Sequence, residues 1–262
     1  MEQNNPIIVN DELIRLNRYC AACGLGSRRS CDDIIAAGRI FVNGKRITEL
    51  GTKVHPRSDY VEYEGKPVVP KRPPTYIAYY KPRGVMVTAS DPEGQPTVYD
   101  ALKRTGYDPE SLRYIGRLDF NSEGLLLMTN DGELVHALTH PRYHIKKVYE
   151  VCIGVRLSSS EMRLITEEGI ESEGQVLKVG KITSMARTED GFWYLVDLYE
   201  GKKRQIRRIF EGLTHTVMRL KRIQFASVKL GELELGAARE LTEREVAALK
   251  SAGFPAPRKR GG

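Results

Sequence analysis

The sequence predicts an α+β protein built in two parts: a small N-terminal unit, then a larger domain whose mixed, mostly antiparallel β-sheet is flanked by helices. Three observations predict it. Between residues 64 and 75, Pro67, Pro70, Pro73 and Pro74 alternate with Lys66, Lys71 and Arg72, and such a stretch stays extended and marks a boundary. Ahead of it, apolar residues recur at helical spacing and one Asn-Gly pair separates two short strand-like runs. Behind it, strand-like runs and shorter helical ones follow an irregular order, which argues against a doubly wound parallel sheet.

Residues 1–10 predict a loose arm, because Gln3-Asn4-Asn5-Pro6 has nothing to bury and no period. A first module, 11–63, opens with a helix that carries Leu13, Ile14 and Leu16 and is closed by Gly24. A second helix runs from its N-cap Ser27 to Gly38, with Ile34 and Ile35 inward. Residues 39–42 and 45–47 flank Asn43-Gly44, the strongest local hairpin signal. After the linker at 64–75, the main domain, 76–252, predicts strands at 76–80, 85–88, 125–129, 148–155, 193–198 and 217–223. Its predicted helices are 131–138, 160–167, 203–211 and 242–251. Residues 253–262, with Pro257-Arg-Lys-Arg260, read as a basic tail.

The chain of 262 residues carries 41 Lys and Arg against 34 Asp and Glu, a net charge of +7, so its natural partner is a polyanion. A membrane is disfavoured. The longest apolar run, 125–128, is far too short to span a bilayer, and residues 1–10 carry no basic end followed by an apolar stretch. A cytoplasmic protein is expected. Four cysteines are too few for a disulfide scaffold; Cys20 and Cys23 have only Cys31 nearby and lack the second pair that a zinc site needs. His136, His140 and His144 fall four apart, but Pro141 interrupts the helix they would share, which leaves them surface or RNA-facing. No metal or cofactor is expected.

Arg28 and Arg29 stand in the first turn of the second helix, where the dipole disfavours cations. Exposed amides and guanidinium groups there make a phosphate cradle, and residues 11–57 hold nine Lys and Arg against five Asp and Glu, a net of +4. The densest patch is 201–222, eight cations against one Glu, a net of +7 that includes Lys203, Arg204, Arg207 and Arg208. Ile206, Ile209 and Phe210 run an apolar stripe through the same helix, so some of its arginines stand at the edge of the core and require an anion. Gly116-Arg-Leu-Asp119-Phe-Asn-Ser-Glu-Gly124 places one carboxylate between apolar neighbours, with glycine at either end. A calcium loop fails there, since Asn130 stands where its last Glu belongs; from this stretch alone a catalytic loop and a plain polar turn remain open.

Residues 13–54 closely resemble the alpha-L RNA-binding module, through Gly24-Leu-Gly-Ser-Arg-Arg29, 35–38, Val42-Asn-Gly44 and Gly51-Thr-Lys-Val54. Asp119 in Gly116-Arg-Leu-Asp119, Tyr149 in Lys146-Lys-Val-Tyr149 and Arg204-Gln-Ile-Arg-Arg208 resemble the three hallmark motifs of the ribosomal RNA pseudouridine synthases that carry this module. Tyr80-Lys-Pro-Arg-Gly84 is similar to a fourth, and the likeness continues through 217–223, Leu235-Gly236 and Leu241-Thr242. It spans nearly the whole chain.

The resemblance implies that Asp119 is the catalytic carboxylate, that Tyr149 packs against the target base and that Arg207 pairs with Asp119. Arg28, Arg29, Lys45, Lys81, Arg117, Lys203, Arg204, Gln205 and Arg208 are the expected RNA contacts. Turning uridine into pseudouridine breaks the bond from ribose C1′ to N1 of uracil, turns the base and rejoins it through C5, with no net redox change and no cofactor. A carboxylate adds to the sugar or removes a sugar proton, an adjacent arginine favours its ionised form, and a tyrosine stacks on the flipped base. The expected partner is ribosomal RNA or a ribosome-assembly intermediate, with a large-subunit stem-loop as target and the protein acting as a monomer. Two rivals are weaker: a non-catalytic RNA-binding protein has no use for Asp119, Tyr149 and Arg207 together, and a methyltransferase needs a glycine-rich fingerprint after a strand.

Overall fold

The computed structural model describes residues 13–56, 58–70, 74–107, 109 and 112–254. The arm expected at 1–10, residues 255–262 of the basic tail and residues 71–73 of the linker lie outside the described residues. The chain divides into two compact units, Met1–Pro74 and Thr75–Gly262.

The first unit runs β1 (Ile14–Arg15), α1 (Leu16–Ala22), α2 (Arg28–Ala36), β2 (Ile40–Val42), β3 (Lys45–Ile47), β4 (Lys53–Val54), β5 (Val61–Tyr63) and β6 (Lys66–Pro67). The helix expected from Leu13 starts later. Ile14 and Arg15 pair instead with Val54 and Lys53, and the Leu16 amide donates to the Thr52 carbonyl at 2.8 Å, so tertiary pairing overrides the local helical period. Ser27 caps α2 by accepting from the Ser30 amide, and Asn43 and Gly44 take positive φ of 50° and 76° in the hairpin turn. Lys66–Pro67, read from sequence as linker, forms the edge of a sheet ordered β3-β2-β5-β6, where a proline forfeits no inner hydrogen bond. Leu16, Cys20, Ile35, Ile40 and Val54 form the core, and burial within it pushes the Cys20 thiol up to about 12.

The second unit contains β7 (Tyr76–Lys81), α3 (Val98–Lys103), β8 (Arg113–Ile115), β9 (Glu123–Thr129), α4 (Gly132–Thr139), β10 (Lys147–Ile153), α5 (Ser159–Arg163), β11 (Ile170–Ser172) and β12 (Gln175–Leu177). It continues with β13 (Lys181–Thr188), β14 (Gly191–Leu198), α6 (Gln205–Gly212), β15 (Val217–Phe225), β16 (Val228–Lys229), β17 (Ala238–Glu240) and α7 (Glu243–Gly253). Nine strands form one sheet ordered β13-β14-β10-β15-β9-β7-β17, with β16 on β15 and β8 on β9. Among the described strands of that sheet, β9 and β15 pair in parallel and the other pairings are antiparallel.

All seven residues of β9 are buried, because helices cover both faces of the sheet there. Leu126 and Met128 face one core with Leu102 of α3 and Ile209 and Phe210 of α6; Leu125 and Leu127 face the other with Leu134 of α4 and Leu249 of α7. Residues 85–88 are not a strand. Val85 and Val87 pack into the core from a loop in which only Met86 bridges Thr97. The helix expected at 160–167 splits, α5 giving way to a wider turn at Leu164–Glu168. α6 begins at Gln205 rather than Lys203, since Arg204 takes a left-handed φ of 50° at its N-cap.

Candidate active site

Asp119 stands on the loop between β8 and β9, exposed to solvent, while its neighbour Leu118 is anchored in the core. The loop turns back on itself, the Ser122 amide donating to the Asp119 carbonyl at 3.0 Å. At its far end Gly124 has a φ of +113°, and a Cβ there would meet the backbone oxygen and nitrogen of Arg222 at 2.3 and 2.5 Å. Glycine is required at that crossing of β9 and β15.

Three buried cations hold this loop by its backbone carbonyls. Lys81, fully buried at the end of β7, donates to the carbonyls of Ser122 (2.7 Å), Pro82 (2.9 Å) and Asp119 (3.3 Å). Arg207 in α6 donates to Val217 (2.9 Å) and Asn121 (3.0 Å). Arg222 in β15 donates to Leu125 (2.7 Å) and, at 3.4 Å, to Arg117. Burial pushes the Lys81 ammonium down to about 8, against the pull of the Asp119 charge. Burial also lowers Arg207, reinforced by Arg204 and opposed by Asp119. Among the described residues, Arg207 Nε, Arg222 Nη2 and Ser122 Oγ are buried without a hydrogen-bond partner.

Arg207 thus feels the charge of Asp119 without forming an ion pair with it: among the described residues its donors go to loop and strand carbonyls. Tyr149 lies in β10 directly across from Arg222, almost buried and packed into the same core as Leu118. A register shift between Val148 and Tyr149 marks that pairing. Glu123, the first residue of β9, is buried and paired with Arg219 at 2.9 Å.

The expected RNA contacts separate into two groups. Arg28, Arg29 and Lys45 in the first unit, and Arg117, Lys203 and Arg204 in the second, are exposed. Lys81, Gln205 and Arg208 face inward. Lys81 is consumed by the Asp119 loop. The Gln205 amide donates to the Lys178 carbonyl and to Glu200, and Arg208 holds the Ser172 carbonyl at 2.6 Å and Glu173 at 3.3 Å. A buried donor must satisfy its hydrogen bonds within the fold, so these three are structural. Arg222 was missed as a site residue because sequence reading placed it in a basic surface patch; the available signal was its even spacing from Leu220 on one strand face.

A model of the RNA pseudouridylate synthase family matches residues 75–212, more than half of the chain. The chain belongs to this family. A second model, the S4 domain, matches residues 14–59 and accounts for the RNA-binding module in front of the synthase domain. The chain is 39% identical over 239 residues to "Ribosomal large subunit pseudouridine synthase B" of Bacillus subtilis, covering 90% of this chain and 96% of the relative. It is 37% identical to an uncharacterized RNA pseudouridine synthase of Aquifex aeolicus, covering 94% and 98% of the two chains. A crystal structure of a pseudouridylate synthase superposes with a TM-score of 0.60 at 25% identity, covering 90% of this chain and 99% of that one. The protein is an isomerase acting on RNA, as its motifs imply. Among the described residues, no helix is long and apolar enough to cross a membrane.

Proposed function

We propose that this protein converts one uridine in a stem-loop of large-subunit ribosomal RNA to pseudouridine, with Asp119 as the carboxylate that acts on the ribose. One observation carries the reading: an exposed carboxylate stands on a loop whose backbone carbonyls are held by the buried cations Lys81, Arg207 and Arg222, the last also holding Leu125 of β9. Such a foundation is costly for a plain turn, because each buried charge loses its hydration. It suits a reacting group that must keep its place while a flipped base enters.

In this reading Asp119 meets the sugar of the extruded nucleotide. Tyr149 packs against the flipped base, and Arg207 acts through the Asn121 carbonyl and its long-range charge. Exposed Arg28, Arg29, Lys45, Arg117, Lys203 and Arg204 contact phosphates, which carry register and no sequence information. The large-subunit target draws support from the name of the Bacillus subtilis relative. The protein works as a monomer in the cytoplasm, and its two units fold independently.

Asp119→Asn tests this reading. The variant keeps the shape and loses the reacting oxygen, so it binds ribosomal RNA at near wild-type strength and forms no pseudouridine. Carbodiimide mapping with primer extension, on RNA from cells with and without the protein, locates the target. Turnover by Asp119→Asn rules out the role of Asp119, and a target in small-subunit RNA rules out the proposed substrate.

A further inference from the structure

Arg222 occupies a position where charge is expensive. It lies in β15, in the middle of the sheet, with 1% of its surface exposed, facing the same side as Leu220. A methionine would fill that volume without the cost of burying an ion. Its two hydrogen bonds explain the choice of residue. They reach Leu125 on one side of the Asp119 loop and Arg117 on the other, so one guanidinium spans both stems. Lys81 and Arg207 hold only carbonyls between those stems or outside them.

The surroundings leave the group no room to move. The Phe225 ring lies 5.3 Å from the guanidinium carbon and packs 3.6 Å from where a Cβ on Gly116 would stand. Gly124 lies against the backbone of Arg222 itself, and Tyr149 is its cross-strand neighbour. A planar fork with fixed donor directions therefore meets both ends of the loop, from a residue paired across the sheet with the tyrosine. A lysine has the charge but cannot span two stems.

We infer that Arg222 is a positioning residue: it clamps both stems of the Asp119 loop and fixes the carboxylate relative to Tyr149. This rests on Asp119 being the reacting group, so Asp119→Asn is run alongside.

The test compares Arg222→Lys and Arg222→Met in single turnover, with enzyme in saturating excess over a mixture of small- and large-subunit ribosomal RNA transcripts tritiated at uridine C5. Tritium release reports loss of the C5 hydrogen. Filter binding gives RNA affinity, and thermal melts report folding. Expected for both variants are wild-type affinity, full reaction amplitude and a rate about 100-fold lower, the scale of an ångström-sized misplacement.

A purely structural role lowers the folded fraction and leaves the rate unchanged once folded enzyme saturates the RNA, which overturns the inference. A wild-type rate in Arg222→Lys overturns it too, since charge alone then suffices. If Arg222→Met does not fold, Arg222→Lys decides by the same criteria; if neither folds, Arg222 is a folding residue and the inference fails. Active Asp119→Asn refutes the assignment of Asp119, whereas inactive Asp119→Asn with wild-type Arg222→Lys refutes only the clamp.

Discussion

The cations around Asp119 and those of the N-terminal module are the same residue types put to opposite uses. Arg28, Arg29 and Lys45 are exposed, where a ligand's phosphates can approach them. Lys81, Arg207 and Arg222 are buried and spend their donors on the protein's own carbonyls. Burial sets the difference. A charged group removed from water must find acceptors at once, and a loop with carbonyls turned inward supplies them. Net charge alone therefore overstates the RNA-binding surface of the second unit, because part of its positive charge is structural.

The largest expected effect tests the inward group. Gly124→Ala places a methyl 2.3 Å from the Arg222 carbonyl oxygen, at a φ of +113° that other residues avoid. Neither backbone can yield without separating β9 from β15, so the variant loses more than about 4 kcal/mol of stability and its activity with it. A thermal melt checks this. A wild-type melting temperature would mean that the two strands do not approach as closely as described, and the support beneath Asp119 would lose its floor.

Much of this architecture is legible in the sequence, for local reasons. Ser27, Asn43-Gly44 and the run at 125–128 carry capping, turn and burial signals that act within a few residues. The RNA family is legible because Asp119, Tyr149 and Arg207 sit in distinctive motifs. What stays hidden depends on long-range packing. Nothing near Lys81 announces that Ser122, 41 residues away, will take its ammonium, and nothing near Arg222 points to Leu125, 97 residues away. The exposed strand β13 has no apolar alternation to reveal it, and Ile14–Arg15 follows a helical pattern until β4 captures it. Arg207 was expected to pair directly with Asp119; packing of α6 turns its donors to Val217 and Asn121 instead.

A second prediction measures what burial costs. The fold holds Lys81 at about 8, below its usual 10.5, so the unfolded chain binds that proton more tightly. The resulting stability is fully present above the unfolded value and is lost as pH falls through about 8. Between the two, unfolding free energy rises with pH by at most about 1.4 kcal/mol per unit from this group. Lys147, also held at about 8 by burial, acts in the same direction, while the buried Cys20 and Tyr79 act in the opposite one. Their contributions cancel when wild type is compared with Lys81→Met. Urea denaturation from about pH 8 to 9.5 should show a steeper rise in wild type than in the variant. Parallel curves would mean that Lys81 is hydrated, and the inward group would shrink to its two arginines.

The smallest expected effect concerns the outward group, and it separates holding RNA from acting on it. Arg28 and Arg29 stand exposed in the first turn of α2, at the positive end of its dipole, and phosphates are the ligands that such a surface attracts. Replacing both with alanine removes interactions common to every RNA. Affinity should therefore fall about tenfold, a loss near 1.4 kcal/mol, for target and non-target RNA alike. The dependence of log affinity on log salt should flatten by about 0.7 for each single-stranded phosphate that the variant no longer neutralises. With enzyme in saturating excess the single-turnover rate should recover, because uniform binding energy lowers the concentration required without helping the chemical step. Salt titrations by filter binding, with tritium release at saturation, give both quantities from one preparation. If the double variant stays slow at saturation, or modifies a different uridine, the N-terminal module positions the substrate for chemistry, and the contrast between cations that hold the protein and cations that hold the RNA no longer divides the molecule.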